Sequence, residues 1–99
     1  MRYELRNTIQ FDKWFTKLKD RTVKRKVLAR LVRVENGSFG DHKQISPSLF
    51  ELRLFFGPGL RIYYTVRNDR IIFLLAGGDK SSQKRDITKA TELLAQLEE

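Results

Sequence analysis

Cysteine is absent from the 99 residues. That excludes disulfides, thiolate-ligated zinc and thiol catalysis. Histidine occurs once, at His42. There is no Ser/His/Asp arrangement, no metal-ligand cluster and no phosphate-loop motif, so no metal, cofactor or small-molecule ligand is expected. The longest apolar run, Ile71 to Ala76, falls far short of the roughly 20 residues that a spanning helix needs. The opening MRYELRNTIQ has no apolar core of a secretory leader. A reducing, cytoplasmic setting without a membrane partner is therefore expected. Acidic residues are also scarce: 12 Asp and Glu stand against 20 Lys and Arg, a net charge of +8.

That charge bears on partners rather than on fold, because it attracts polyanions at long range. Nucleic acid is the leading inference; an anionic membrane surface or an acidic protein partner also fits. The length suits one domain with a modest core of two packed layers. With 40% hydrophobic and 32% charged residues, the chain has an ordinary globular composition. No linker, repeat or low-complexity run divides it.

Periodicity orders the chain. Residues 2–8 alternate as a half-buried strand, suited to a sheet edge. Phe11, Trp14, Phe15 and Leu18 then fall on one face of a helix over 10–19, with Thr8 as its N-cap. Asp20 caps a second helix over 21–35, whose stripe is Val23, Val27, Leu31 and Val34; Asn36-Gly37 stops it. The two helices read as a hairpin lying on a sheet. Residues 13–33 hold nine cations, among them Lys24 and Arg25, most of which belong to a solvated face that can also track a phosphate backbone.

Strands are expected over 39–45, 49–56, 61–67 and 70–76. In the second of these, Leu49, Glu51, Arg53 and Phe55 share a face. In the third, Arg61, Tyr63, Thr65 and Arg67 do. Gly57-Pro58-Gly59 joins them, with Pro58 suited to the first central turn position and Gly59 to the second. This turn places Arg53 near Tyr63 or Thr65 on an open face of the sheet. The strand 70–76 is apolar on both faces and so covered on both. Gly77 to Ser82 forms an exit loop, and Ser81 or Ser82 caps a last helix with a stripe of Ile87, Ala90, Leu94 and Leu97. The order is β-α-α-β-β-β-β-α, an α+β fold with the late strands as an antiparallel meander.

Four segments carry a resemblance: Gly37-Ser38-Phe39-Gly40-Asp41, Glu51-Leu52-Arg53, Gly57 to Tyr64 (GPGLRIYY), and Gly77 to Gln83 (GGDKSSQ). Together they resemble the HigB-like addiction-module killer proteins of the RelE/ParE toxin superfamily. The chain departs at Leu60, where many relatives carry Tyr, and before Glu51, where the usual Gly-Val is missing. The resemblance implies a RelE-like fold and a type II toxin that stops translation by cutting messenger RNA on the ribosome. It implies a cognate antitoxin, commonly a helix-turn-helix DNA-binding protein. The ParE branch of the superfamily instead poisons DNA gyrase. A basic nucleic-acid-binding module without catalysis is the third alternative.

Metal-free cleavage by a substrate 2′-hydroxyl needs positioning, proton transfer and charge stabilisation. Arginine suits the last task, because its planar donors grip phosphate oxygens two at a time. Arg61 aligns with the family's arginine after the turn and is assigned to the scissile phosphate; its structural alternative is a pair with Glu51 or Asp79. Arg53 is assigned a second phosphate contact, with the same alternative. Lys80 lies in the loop where relatives place a phosphate-supporting cation. Backbone N–H groups at Ser81 to Gln83 open a helix and so offer an anion site. Lys43 or Tyr63 is the candidate for proton transfer, with Lys43 made more acidic by neighbouring cations. His42 reads as structural or exposed. Lys24, Arg25, Gln83, Lys84 and Arg85 are the further RNA contacts expected.

Overall fold

The computed structural model describes residues 2–97. Its strands are β1 (Glu4–Asn7), β2 (His42–Ser46), β3 (Leu49–Leu54), β4 (Leu60–Arg67) and β5 (Ile71–Gly78). Its helices are α1 (Ile9–Lys17), α2 (Arg21–Glu35) and α3 (Gln83–Leu97), the last preceded by a 3-10 turn over Lys80–Ser82. The fold is α+β in the expected element order, with sheet order β1-β5-β4-β3-β2. β2 to β5 form the antiparallel meander, and β1 adds in parallel to β5 at the sheet edge.

Alternation divides the sheet into two cores. Leu52, Leu54, Ile62, Tyr64, Ile72 and Leu74 pack with Phe11 of α1 and with Val27, Leu31 and Val34 of α2. Leu49, Tyr63, Leu75 and Ala76 pack on the other face with Ala90 and Leu94 of α3. The helical hairpin and the last helix thus cover opposite faces. The face bearing Tyr63 was expected to be open. It is closed by α3 along most of its length, because the Ala90/Leu94 stripe has only that apolar surface to bury against.

The helix starts follow their capping residues. The Thr8 hydroxyl accepts from Phe11 N–H and donates to the carbonyls of Leu74 and Leu75, tying α1 to β5. Asp20 accepts from the N–H groups of Thr22 and Val23. Arg30 clamps the β2–β3 end onto α2. Its Nε donates to Phe39 O at 2.9 Å, Nη1 to Arg53 O at 2.9 Å and Nη2 to Asp41 O at 2.7 Å.

Three local expectations are corrected. In the β3–β4 connection, Gly59 N–H donates to Phe56 O, so Gly57 and Pro58 are the central residues. Gly57 supplies the positive φ of 58° at the first of them, and Pro58 stands second, not first. The connection takes up residues 55–59 between Leu54 at the end of β3 and Leu60 at the start of β4, so Arg53 faces Arg61 directly rather than Tyr63 or Thr65. Gly77 and Gly78 belong to β5 rather than to a loop. They are required by close approach: a Cβ on Gly77 would lie 2.2 Å from the Trp14 indole, and one on Gly78 1.7 Å from the Asp86 carboxylate.

The Gly77–Trp14 contact makes a stability prediction. Gly77→Ala overpacks this junction and should cost about 2 kcal/mol, the usual range for an added methyl in a filled space. Urea unfolding should show a smaller cost in a Trp14→Ala background. Equal costs in both backgrounds would mean that the indole does not set the constraint.

Candidate functional site

Sheet register assembles the site in two rows. Lys43 of β2, Glu51 of β3, Tyr63 of β4 and Ala76 of β5 are successive cross-strand partners. The next row is Arg53, Arg61 and Gly78. Arg53 and Arg61 therefore stand side by side, next to the start of α3, where Gly78 of the same row meets Asp86. The turn after β5 brings Lys80 to the same place. Arg53, Phe55, Gly59, Arg61 and Lys80 line a pocket of about 140 Å³. Gly59 is the close neighbour here: a Cβ at this position would meet Arg61 Nη1 at 3.6 Å and Lys80 Cβ at 3.7 Å.

Glu51 holds the arrangement together. Its side chain has no solvent exposure. Arg53 Nε donates to Oε1 at 2.9 Å, and Gln83 Nε2 donates to Oε2 at 2.9 Å. Arg61 Nε lies 3.6 Å from Oε2, an ion pair without a hydrogen bond, and Arg61 Nη1 donates to Gly59 O at 3.0 Å. Burial pushes the Glu51 carboxyl up. Hydrogen bonds from Arg53 and Gln83, helped by the Tyr63 hydroxyl and the Arg53 charge, more than offset that and hold it below the usual carboxylate range. The hydrogen bond to Glu51 in turn raises the Arg53 guanidinium above its ordinary value.

The alternative of an arginine paired with Glu51 is thus realised for both arginines, and Asp79 takes no part in it. That pairing does not consume the donors. Neither Nη of Arg53 nor Nη2 of Arg61 is hydrogen-bonded to an acceptor among the described residues. Two arginines paired with one carboxylate, and Lys80 in the pocket lining beside them, leave two net positive charges there. With planar donors still available, the geometry suits a phosphate.

Several expected contributors fall elsewhere. Tyr63 is fully buried. Burial and the neighbouring Glu51 carboxylate raise its hydroxyl far above the ordinary phenol value. Gln83, expected to touch RNA, donates one Nε2–H to Glu51. The N–H groups of Ser81 and Ser82 are not an open anion site, because Asp79 Oδ1 accepts from both, at 2.9 and 3.2 Å. Asp79, not Ser81 or Ser82, is the cap of this turn. Lys84 and Arg85 remain beside Lys80, lining a shallow pocket of about 390 Å³ at the start of α3. Lys24 and Arg25 lie on α2, across the sheet from Arg53. Lys24 sits over the Phe15 ring and reaches Thr16 O. Lys43 is exposed on the edge strand β2, and His42 is exposed with Nδ1 2.9 Å from Gly40 O. The residue that sequence reasoning undervalued is Glu51, considered only as a salt-bridge partner. Its alternation with Leu52, inside a strand of two apolar faces, was the available signal.

Among the described residues no group of His, Asp and Glu side chains could hold a metal ion, and no helix is long and apolar enough to cross a membrane.

Residues 13–95 match the family described as Phage derived protein Gp49-like. The chain belongs to this family. An uncharacterized protein of Haemophilus influenzae is 44% identical to this Gp49-like chain over 96 residues, covering 97% of one and 96% of the other. Among solved structures, a mutant of the E. coli toxin RelE in the free state superposes with a TM-score of 0.73 at 22% identity. It covers 93% of the Gp49-like chain and 97% of its own. The intact E. coli RelBE toxin–antitoxin complex gives a TM-score of 0.64 at 22% identity, covering 78% and 95%. The Gp49-like chain therefore has the RelE fold.

Glu51 yields a prediction with a definite sign. Its folded-state pKa is depressed, so its stabilising contribution is present above the unfolded value of about 4.3 and is lost as pH falls through the lower folded value. Glu51→Gln should cost about 3 kcal/mol at neutral pH, the lower end for breaking a buried ion pair. Denaturant melts between neutral pH and pH 2 should show the wild type losing more stability than the variant. Parallel loss in both would remove Glu51 from this role.

Proposed function

We propose that this chain is the toxin of a type II toxin–antitoxin pair, of the HigB-like kind, and that it halts translation by cutting messenger RNA on the ribosome. The observation that carries the reading is the convergence of Arg53, Arg61 and Lys80 on one pocket, with both arginines anchored by a buried carboxylate. The RelE fold and the net charge of +8 support it.

In this reading the ribose 2′-hydroxyl attacks the adjacent phosphorus in line, and the 5′-oxygen leaves with a proton. Arg61 and Arg53 hold the non-bridging oxygens and stabilise the charge that grows on them. Lys80 adds a third cation at the pocket rim. Lys43, on the same row as Glu51, is the proposed proton-transfer residue; Lys84 and Arg85 extend the basic surface along the RNA. No cofactor enters the reaction. The partner is an antitoxin, for which the RelBE assembly is the structural precedent. A helix-turn-helix DNA-binding protein is the kind we propose.

Induction of the wild type should arrest growth, and primer extension should reveal breaks in translated messages. Arg61→Ala should reduce cleavage by about 100-fold or more, as loss of a charge-stabilising donor does, while circular dichroism shows the fold retained. Intact messages with DNA-damage signalling would identify a gyrase poison instead. Salt-dependent RNA binding without arrest would identify a non-catalytic module.

Lys43 has its own test. Lys43→Ala should lower the cleavage rate by about 100-fold, the scale of general acid–base catalysis. Cleavage at the wild-type rate removes it from the mechanism.

A further inference from the structure

The β3–β4 connection separates two basic pockets. On one side lies the Arg53/Arg61/Lys80 pocket. On the other lies a second pocket of about 320 Å³, lined by Lys26, Arg30 and Arg33 of α2. Leu54 and Phe55 line both. Leu54 is buried, whereas Phe55 is 78% exposed. A lone exposed apolar side chain calls for no explanation. An aromatic ring with cation-lined pockets on both sides does, because phosphates on either flank would bring a nucleobase over it.

The cations of the second pocket are not equivalent. Arg30 has its guanidinium committed to three backbone carbonyls. Lys26 lies 4.9 Å from the Phe56 ring, and neither it nor Arg33 is in an ion pair among the described residues. Lys26 and Arg33 are therefore the groups available to a phosphate there.

We infer that Phe55 is a stacking platform for a base of single-stranded RNA, adjacent to the phosphate held by Arg53 and Arg61, and that the strand continues over the hairpin tip onto Lys26 and Arg33. The ligand must be single-stranded, because paired bases inside a helix cannot reach a protruding ring. This deepens the ribonuclease reading and rests on it for the identity of the held phosphate.

The test compares binding of two probes in parallel: a 2′-O-methyl oligouridylate, which lacks the attacking hydroxyl, and an abasic strand of equal length and charge. Phe55→Leu should weaken the base-bearing strand by about tenfold, as removal of a stacking ring does, and leave the abasic strand within about twofold. Phe55→Trp should restore the preference. Lys26→Ala and Arg33→Ala should each lower the slope of log K against log salt by about 0.7, one phosphate contact on a single strand. An equal loss of both strands in Phe55→Leu, no loss of either, or a wild type without preference for bases overturns the inference. Phe55 is exposed enough that its variants should melt as the wild type does. Arg61-dependent message cleavage alongside unaltered RNA affinity in Phe55→Leu would overturn the stacking alone. Base-selective binding through Phe55 without message cleavage would overturn the ribonuclease reading alone.

Discussion

The site depends on one buried negative charge. A carboxylate with no solvent exposure is tolerable only when its partners compensate for lost hydration. Glu51 has Arg53 and Gln83 at hydrogen-bond distance and Arg61 at ion-pair distance. Each partner comes from a different element: β3, β4 and the start of α3. The carboxylate therefore fixes where α3 begins relative to the sheet and how both guanidiniums are turned. Removing it would leave two arginines side by side, with Arg61 held only by its hydrogen bond to Gly59 O.

The rest of the fold supplies the walls for that charge. Leu49, Tyr63, Leu75 and Ala76, with Ala90 and Leu94 above them, keep water from Glu51 on the α3 side. The glycines of β5 allow the helices to come close: Gly77 admits Trp14 and Gly78 admits Asp86. Arg30 secures the opposite side by tying Phe39, Asp41 and Arg53 through their carbonyls. Its donors are spent on backbone, so one basic residue in a basic region is structural by hydrogen-bond accounting. Its partial burial lowers its guanidinium pKa.

Much of this was legible in the sequence, for physical reasons that differ by element. The apolar spacing of α2, the Asp20 cap and the Asn36-Gly37 stop gave its bounds as Arg21–Glu35. Alternation placed Arg53 and Arg61 on one face, because side-chain period is a local property of a strand. Register is not local. It depends on how many residues the connection consumes, and residues 55–59 between the paired Leu54 and Leu60 set Arg53 opposite Arg61. Coverage of that face was equally hidden, since the stripe of α3 does not say against which side of the sheet it packs. Two sets of expected donors meet acceptors inside the fold: Asp79 accepts from Ser81 and Ser82, and Glu51 accepts from Gln83. A sequence lists donors and acceptors; only the fold decides which acceptor each donor finds.

The same carboxylate constrains the chemistry under the proposed reading. Two guanidiniums held by a fixed anion need no reorganisation when a phosphate gains charge, which is the condition for electrostatic catalysis. The arrangement contributes little to proton transfer. Among the described residues, no His, Asp or Glu lines the pocket, and Tyr63 is buried with its hydroxyl made less acidic by burial and by Glu51. Acid–base work therefore falls to an exposed group at the edge, such as Lys43, or to groups delivered with the RNA. A toxin built this way would grip phosphate readily anywhere and cut efficiently only where its substrate is presented in line. That links the missing acid–base pair of the pocket to the proposed dependence on the ribosome.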